Sequence, residues 1–291
     1  MENQPVAVIT GATAGIGLAT AQALALRGYL VALVGRDAER CADAARRICQ
    51  AAPQAQVVWY TAELSSQRQV RELAAKLCAA LSRVDALVLS AGTVNSHQLT
   101  TEDGIEMQFA VNHLSGFLLT HELLPLLRRA TGRVLVVSSG SHRHTRLTFP
   151  DVQHRRHYSL LGAYKRTKLC NVLFAAEVNR RLPGVRAFAA DPGLVRTDIG
   201  LKGTFGLERL VWKLRMASGV EASVPGEAIA WLAAEAAPLR TQSVYWYDKK
   251  PVAPSPYGLR QDVAGQLWQA SERLCGIDPD SWGISAEGMS P

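Results

Sequence analysis

Several features are absent from this sequence, and each absence excludes a class of protein. The five cysteines form no Cys-x-x-Cys pair, and their number is odd. Secreted disulfide frameworks and common zinc sites need grouped cysteines, so we expect reduced thiols and no metal. No apolar run reaches the roughly 18–20 residues of a membrane span, and the first residues lack the basic start of a signal peptide. We therefore predict a soluble, cytoplasmic protein.

The sequence also lacks a concentrated charge of one sign. The formal net charge is +7 over 291 residues, but Lys and Arg are scattered, with a local excess only around 143–156 and 209–215. The sequence contains no extended basic stripe with interleaved aromatic residues and no recognised nucleic-acid-binding motif, which argues against a nucleic-acid partner. Hydrophobic residues make up 48% of the chain, enough for a sizeable core. We predict one domain that spans residues 1–291.

Short apolar runs recur along the chain, and a helical pattern follows each of them. The runs are continuous rather than alternating, as in strands that are buried on both faces of a parallel sheet. The predicted strands are Val6–Thr10, Leu30–Gly35, Gln56–Tyr60, Ala86–Ser90, Val134–Ser138, Ala187–Ala190 and Val244–Tyr247. The helical stretches include Ile16–Arg27, Ala38–Ala51, Ser66–Leu81, Leu169–Leu182 and Val263–Leu274. This alternation predicts an α/β fold, a doubly wound seven-stranded parallel sheet with helices on both faces.

A glycine-rich segment, Thr10–Gly17, links the first predicted strand to the first helix. Glycines at such a turn let the backbone approach a pyrophosphate, whose charge the helix N-terminus stabilises. Gly35 stands at the end of the second strand, where a carboxylate usually binds the adenosine ribose, and Arg36 follows it. A guanidinium can pair with a 2′-phosphate, so we predict NADP (NADPH) as the cofactor rather than NAD. The alternative for Arg36 is a solvated surface charge.

Tyr164 and Lys168 are four residues apart and share one face of a helix. A free tyrosine has a pKa of about 10, and a nearby positive charge lowers it by stabilising the phenolate. Such a tyrosine can exchange a proton with the oxygen of a carbonyl or an alcohol. Ser138 and Ser139 end a predicted strand upstream of this pair.

Together these motifs resemble the short-chain dehydrogenase/reductase family over about residues 6–197. The resemblance rests on Thr10–Gly17, Ser90-Ala91-Gly92, Asn112, Ser139, Tyr164 with Lys168, and Pro192-Gly193, in the family's order. It implies a Rossmann-type fold and an oxidoreductase with four catalytic residues. Tyr164 would be the general acid or base, and Ser139 would polarise the carbonyl. Lys168 would bind the nicotinamide ribose and lower the pKa of the tyrosine, and Asn112 would hold a water of a proton relay, although Asn112 could instead hold a helix kink.

The resemblance also implies a set of cofactor-binding residues. They are Gly11, Thr13, Gly15, Ile16, Gly17, Arg36, Glu63, Leu64, Ala91, Gly92, Tyr164, Lys168, Pro192, Val195 and Thr197. Three positions depart from the usual pattern of the family. Glu63 replaces an aspartate near the adenine, Ser90 replaces an asparagine that stabilises the sheet, and Asp191 precedes Pro-Gly in place of Asn or His.

Several phrases look like the retinol-dehydrogenase-like branch of this family, among them Val34–Asp37 and Ala163–Phe174. That branch carries a long insertion between the serine and the tyrosine, here within 141–162, and acts on lipophilic or ring-bearing carbonyls and alcohols. The insertion is rich in His and Arg, which predicts a solvated loop; a cationic rim or a metal site are the alternatives. A second long segment, 200–226, contains the amphipathic stretch Leu207–Met216. It could close over the substrate as a lid or contact a membrane surface peripherally.

We expect a carbonyl reductase, reversibly an alcohol dehydrogenase, with a small molecule as its substrate. Two alternatives remain open at this point. One is a non-catalytic NADP-binding sensor or scaffold, and the other is a reductase of carbon–carbon double bonds. The resemblance also allows a homo-oligomer, because dimers and tetramers are frequent in the family.

Overall fold

Parallel strands form the centre of the molecule in a computed structural model, which describes residues 4–196 and 219–283. The strands are β1 (Val6–Thr10), β2 (Leu30–Gly35), β3 (Val57–Thr61), β4 (Ala86–Leu89), β5 (Arg133–Val137), β6 (Arg186–Asp191), β7 (Tyr245–Tyr247) and β8 (Lys250–Pro251). Their order across the sheet is β3-β2-β1-β4-β5-β6-β7-β8. The chain order reverses between β1 and β4, the place where open α/β sheets bind their ligands.

The predicted fold class is confirmed, with one strand more than the seven expected. All neighbours from β3 to β7 pair in parallel, and β8 pairs antiparallel with β7 at the edge of the sheet. Asp248 and Lys249 have φ angles of +45° and +61° and form the two-residue hairpin between them. Because Asp-Lys is not among the residue pairs that usually signal such a hairpin, the sequence pattern did not predict β8.

Helices cover both faces of the sheet. They are α1 (Gly15–Ala25), α2 (Ala38–Ala51), α3 (Gln67–Ala80), α4 (Met107–Phe109), α5 (Ser115–Glu122), α6 (Leu124–Ala130), α7 (Leu160–Arg181), α8 (Ser223–Ala234) and α9 (Gln261–Cys275). The core has two parts, one on each face. In β1, Val6 and Val8 belong to one part and Ala7 and Ile9 to the other, because successive side chains of a strand point in opposite directions.

Helix α7 begins at Leu160, nine residues before the apolar stretch that was predicted to form it. The Ser159 side chain accepts a hydrogen bond from the Gly162 amide at 3.2 Å and caps the helix. The helix therefore includes both Tyr164 and Lys168. In the two described ranges, no helix is both long and apolar enough to cross a bilayer.

A cluster of buried aromatic rings joins the end of the described chain to the core. Trp282 is fully buried, and its ring centroid lies 4.5 Å from that of Trp268 and 5.3 Å from that of Phe117. The Trp282 carbonyl accepts a hydrogen bond from the Arg128 guanidinium at 2.9 Å. The segment after α9 is thus packed onto helices of one face.

Removing this ring should lower the stability of the fold. We expect Trp282→Ala to reduce the free energy of unfolding by about 3–5 kcal/mol, because the substitution leaves a cavity in a packed core. Urea unfolding measures the loss. Trp59→Ala is the control: Trp59 is 42% exposed on β3, and its loss should change stability by less than about 1 kcal/mol. Equal effects of the two substitutions would contradict this role of Trp282.

Candidate active site

Thr10 joins the ends of two neighbouring strands at the carboxyl edge of the sheet. Its hydroxyl donates to the Val88 carbonyl at 3.3 Å and accepts from the amides of Ser90 and Ala91 at 3.1 and 3.2 Å. These bonds fix the backbone at Ser90, the position where the usual asparagine is missing. Although Ser90 replaces the usual asparagine, the end of β4 is still bound to β1. The bonds come from Thr10, the first residue of the glycine-rich segment, whose side chain had no predicted role.

The glycine-rich turn packs directly against this strand end. Gly11 has a φ of +66°, and a Cβ atom there would lie 2.8 Å from the Ala91 Cα. A Cβ atom on Gly17 would overlap the Gly11 carbonyl oxygen. Ala14 precedes α1 and supplies no side-chain cap for its first amides. A close backbone approach and uncapped amides are the features that a pyrophosphate requires.

Arg36 and Glu63 lie next to each other at the ends of β2 and β3. The distance from Arg36 Nη1 to Glu63 Oε2 is 3.5 Å, and the side chains are 67% and 37% exposed. At Gly35, a Cβ atom would lie 2.6 Å from both Thr13 Cγ2 and Cys41 Sγ. The end of β2 therefore has no ready space for the carboxylate that would bind an unphosphorylated ribose.

The neighbouring carboxylate of Asp37 has another partner. Its Oδ1 accepts a hydrogen bond from the Arg40 amide at 2.8 Å and caps α2. Asp37 is thereby committed to the helix, while in the described part of the chain the Arg36 guanidinium pairs with the half-buried Glu63 carboxylate. This donor set fits a 2′-phosphate better than a ribose hydroxyl.

Lys168 is brought to the end of β5 by α7. Its Nζ donates to the Val137 carbonyl at 3.0 Å and lies 5.4 Å from the centre of the Tyr164 ring. The Ser138 hydroxyl donates to the Lys168 carbonyl at 2.8 Å and fixes the helix against the strand. Ser139 follows, and its hydroxyl oxygen accepts from the Ser141 amide at 3.3 Å. The structure thus brings Ser139, Tyr164 and Lys168 to one edge of the sheet.

Burial controls the ionisation of Lys168. The side chain is 4% exposed, and this burial lowers its pKa from 10.5 to about 8. The negative charge of Asp191 opposes the shift. Asp191 Oδ2 accepts from the Tyr245 hydroxyl at 2.6 Å, and Oδ1 accepts from the Gly193 amide at 2.9 Å. The departure at Asp191 therefore places a hydrogen-bonded carboxylate where it favours the charged form of the lysine.

Asn112 lies in a π-helical turn, Ala110–Leu114, between α4 and α5. Its Oδ1 accepts from the Thr93 amide at 2.7 Å, and its Nδ2 donates to the Thr93 carbonyl at 3.0 Å and to Thr167 Oγ1 at 3.2 Å. The side chain thus connects the loop after β4 with α7. These contacts are compatible with the alternative in which Asn112 holds a helix kink. The proton-relay role of Asn112 stays a prediction.

The 141–162 insertion was predicted to be a solvated loop, and this prediction is wrong for His142. The side chain is fully buried. Its Nδ1 donates to the Ser139 carbonyl at 2.8 Å, and its Nε2 accepts from the Ser255 amide at 3.0 Å. Burial lowers the pKa of His142, so the ring is neutral and can make both bonds at once. His142 therefore supports the Ser139 backbone, a role hidden from the sequence because Ser255 is distant along the chain.

The remaining predicted residues are spread along the same edge. Leu64 is buried in the core, while Ala91, Gly92 and Pro192 are partly exposed. Val195 pairs in parallel with Val220, where the chain returns to the described residues. Thr197, the stretch Leu207–Met216 and most of the predicted lid at 200–226 lie outside the described residues. In the described ranges, no three His, Cys, Asp or Glu side chains are grouped as a metal site.

Comparisons with known proteins show the family to which this chain belongs. A family model described as short chain dehydrogenase matches residues 5–202. The chain belongs to the short-chain dehydrogenase/reductase family. Retinol dehydrogenase 13 from Homo sapiens is 38% identical over 285 residues, which cover 94% of this chain and 85% of that protein. A protein from Streptomyces sp. (strain C5), described as "Putative daunorubicin C-13 ketoreductase DnrU", is 36% identical over 270 residues, which cover 92% of each chain.

Two solved structures share the fold of this chain. A crystal structure of a Mycobacterium paratuberculosis protein is 30% identical, with a TM-score of 0.75 over 95% of this chain and 97% of that chain. An alcohol dehydrogenase from the archaeon Thermococcus sibiricus, complexed with 5-hydroxy-NADP, is 26% identical with a TM-score of 0.65, over 88% and 98% of the two chains. The predicted resemblance to the retinol-dehydrogenase-like branch is confirmed, and with it the oxidoreductase class.

The buried lysine should lower the stability of the fold at neutral pH. Below pH 8, Lys168 is protonated in both folded and unfolded chains, and its burial destabilises the fold in full. Between pH 8 and 10.5 only the unfolded chain keeps this proton, so the penalty decreases as the pH rises. We expect Lys168→Met to stabilise the protein at pH 7 by up to about 3 kcal/mol, an advantage that shrinks above pH 8.

Urea unfolding at pH 7 and above pH 9 measures this difference. Lys76→Met on the exposed face of α3 is the control, and it should not stabilise the protein as Lys168→Met does at pH 7. A Lys168→Met protein that is less stable than the wild type at pH 7 would show that the lysine is not destabilising.

Proposed function

We propose that this protein is an NADP-dependent oxidoreductase that interconverts a carbonyl and an alcohol on a lipophilic or ring-bearing small molecule. The observation that carries the proposal is the buried Lys168 Nζ, 5.4 Å from the Tyr164 ring at the end of β5. A cation held there favours the phenolate and lowers the pKa of the tyrosine toward the pH at which the reaction runs.

The residues at the carboxyl edge fit a dinucleotide with a 2′-phosphate. The turn from Gly11 to Gly17 would hold the pyrophosphate, Arg36 would pair with the 2′-phosphate, and Lys168 would bind the nicotinamide ribose. When bound, NADPH supplies the hydride for reduction of the carbonyl carbon. The crystal structure of the Thermococcus sibiricus relative contains an NADP derivative, which supports the choice of cofactor.

The protein's own residues supply the proton and orient the substrate. Ser139 would donate a hydrogen bond to the carbonyl oxygen and polarise it. Tyr164 would give its phenolic proton to that oxygen as the carbon accepts the hydride, so the product is an alcohol. In oxidation the phenolate would take the alcohol proton back. Lys168 stabilises the phenolate that remains, and Asp191 supports the charge on the lysine.

The substrate class rests on the named activities of the relatives. The retinol dehydrogenases are named for retinol, which is an alcohol. DnrU is named for a ketone of daunorubicin, a polycyclic compound. Both names describe carbonyl–alcohol chemistry on a lipophilic or ring-bearing molecule. Part of the insertion is also apolar and packed, with Leu147 and Val152 buried in the core. The cytoplasmic location, peripheral membrane contact and a homo-oligomer stay predictions.

Removing the proposed proton donor should stop the reaction. We expect Tyr164→Phe to lower kcat for NADPH-dependent reduction of a panel of aromatic and lipophilic ketones by about 10²–10⁴-fold, because phenylalanine has no proton to give to the carbonyl oxygen. Tyr29→Phe is the control: this buried tyrosine precedes β2, at the opposite end of the strand. Full activity of Tyr164→Phe would show that the mechanism is wrong.

The 2′-phosphate assignment has a separate test. We expect Arg36→Ala to raise the Kd for NADPH by about tenfold or more while changing the Kd for NADH little, since a charge-assisted hydrogen bond is lost. Titration of each nucleotide measures both constants. Arg46→Ala, an exposed arginine further along α2, should change neither. An equal loss for both nucleotides after Arg36→Ala would contradict the assignment.

A further inference from the structure

Two buried polar atoms behind the candidate active site lack a hydrogen-bond partner among the residues that the structure describes. They are Oδ1 of Asn171 and Nδ1 of His113. Each residue is 2% exposed, and both line a cavity of about 10 Å³ between β4, β5, the π-helical turn and α7. An unpaired buried polar atom destabilises a fold, so both atoms call for a partner inside that cavity.

The orientation of the Asn171 amide follows from its neighbour. Its Nδ2 donates to the Val137 carbonyl at 3.1 Å, and Lys168 Nζ donates to the same oxygen at 3.0 Å. A flipped amide would place two carbonyl oxygens against each other. The amide oxygen of Asn171 must therefore face the cavity, where it can only accept a hydrogen bond.

The tautomer of His113 follows in the same way. The Ser271 hydroxyl donates to the Leu267 carbonyl at 2.9 Å, so its oxygen accepts from His113 Nε2 at 3.0 Å. We therefore assign the proton of the neutral ring to Nε2, which leaves Nδ1 as an acceptor. Burial lowers the pKa of His113 to about 4, against the smaller opposite effect of the hydrogen bond that a protonated Nδ1 would make to Asn171. The ring is therefore neutral at physiological pH, and with its proton on Nε2 it makes no direct bond to the Asn171 amide oxygen.

Both atoms that face the cavity are thus acceptors, and a donor to both is required. A water molecule carries two O–H donors, and a polar cavity of this size accommodates about one. Such a water would connect the Asn171 amide to His113 and, through Ser271, to α9. The amide of Asn171 would then be held in one orientation from behind.

We propose that Asn171 is a positioning residue that allows Lys168 to leave the Val137 carbonyl for the cofactor. This rests on the proposed function, in which Lys168 binds the nicotinamide ribose. When Nζ turns toward the ribose, Asn171 continues to donate to the Val137 oxygen, so that buried oxygen keeps a partner. Among the described residues, Lys168 and Asn171 are the side-chain donors to the Val137 carbonyl, so without Asn171 the release of the lysine would remove its remaining side-chain donor.

The test is the binding of NADPH to variants of the full chain, followed by nucleotide fluorescence. We expect Asn171→Leu to raise the Kd for NADPH by about tenfold, since one buried carbonyl would lose its donor on binding. KM for NADPH should rise in parallel, with little change in kcat at saturating NADPH. Asn171→Ala removes the same donor without adding bulk and keeps the test decisive if the leucine variant does not fold.

Asn179→Leu is the matched control for a merely structural effect. Asn179 is a second amide on α7, and it exchanges hydrogen bonds of 2.7 and 2.9 Å with the Ala187 backbone of β6. Its loss should lower the melting temperature but leave the Kd for NADPH within about twofold of the wild type, because the released groups lie away from Lys168. Unchanged NADPH binding in both Asn171 variants, or an equal loss in Asn179→Leu, would overturn the proposal.

Two further measurements separate this proposal from the proposed function. Nitrogen NMR should show His113 as the neutral Nε2–H tautomer, and an Nδ1–H tautomer would contradict the water bridge. His113→Phe, which suits the surrounding aromatic rings, should raise the Kd for NADPH less than Asn171→Leu does. If the wild type binds no NADPH, the proposed function itself fails; if it does and the Asn171 variants match it, only this inference fails.

Discussion

The site depends on keeping one cation, Lys168, almost out of contact with water at the end of β5. Burial favours the neutral amine, and the protein offsets this with a backbone carbonyl at Val137 and the charge of Asp191. Neither partner is on α7, so the helix must be fixed against the sheet for the lysine to reach them. The Ser138 hydroxyl does this by bonding the Lys168 carbonyl. Packing of one helix against two strand ends therefore decides the charge state of the group that we propose lowers the pKa of Tyr164.

The surroundings of this cation are neutral groups fixed by hydrogen bonds. His113 and His142 are both buried, and burial lowers the pKa of each ring, so neither adds a positive charge near Lys168. His142 holds the Ser139 backbone from one side, and Asn112 holds the loop after β4 from another. Buried polar groups of this kind are stable only when their hydrogen bonds are satisfied, which makes the geometry of the site specific.

The cofactor end follows a different rule, because its charges remain near water. Arg36 is mostly exposed and Glu63 is partly exposed, and such pairs contribute little to stability. Their importance lies in what the backbone allows: Gly35 leaves no ready space for a carboxylate, and Asp37 is engaged as a helix cap. Selectivity for a phosphate would then come from the glycine in place of a carboxylate at the end of β2 as much as from the arginine.

Local patterns in the sequence were enough to predict much of the fold and the main reactive groups. The apolar runs of β1 and β2, the glycine turn after Thr10, and the four-residue spacing of Tyr164 and Lys168 are all short-range features. They are readable because strand and helix periodicity are set by neighbouring residues. The short strand β8 was not predicted, because Asp-Lys is not one of the residue pairs that usually form a two-residue hairpin turn.

Only the tertiary structure decided which buried polar groups meet. His142 finds Ser255, His113 finds Ser271, and Asp191 finds Tyr245, each at a separation that no local pattern encodes. The pKa of Lys168 is likewise a property of what packs around it. The sequence by itself determined the chemistry-bearing residues and their order along the strands. The fold determined their protonation and their partners, because burial and hydrogen bonding depend on contacts between elements that are distant in the chain.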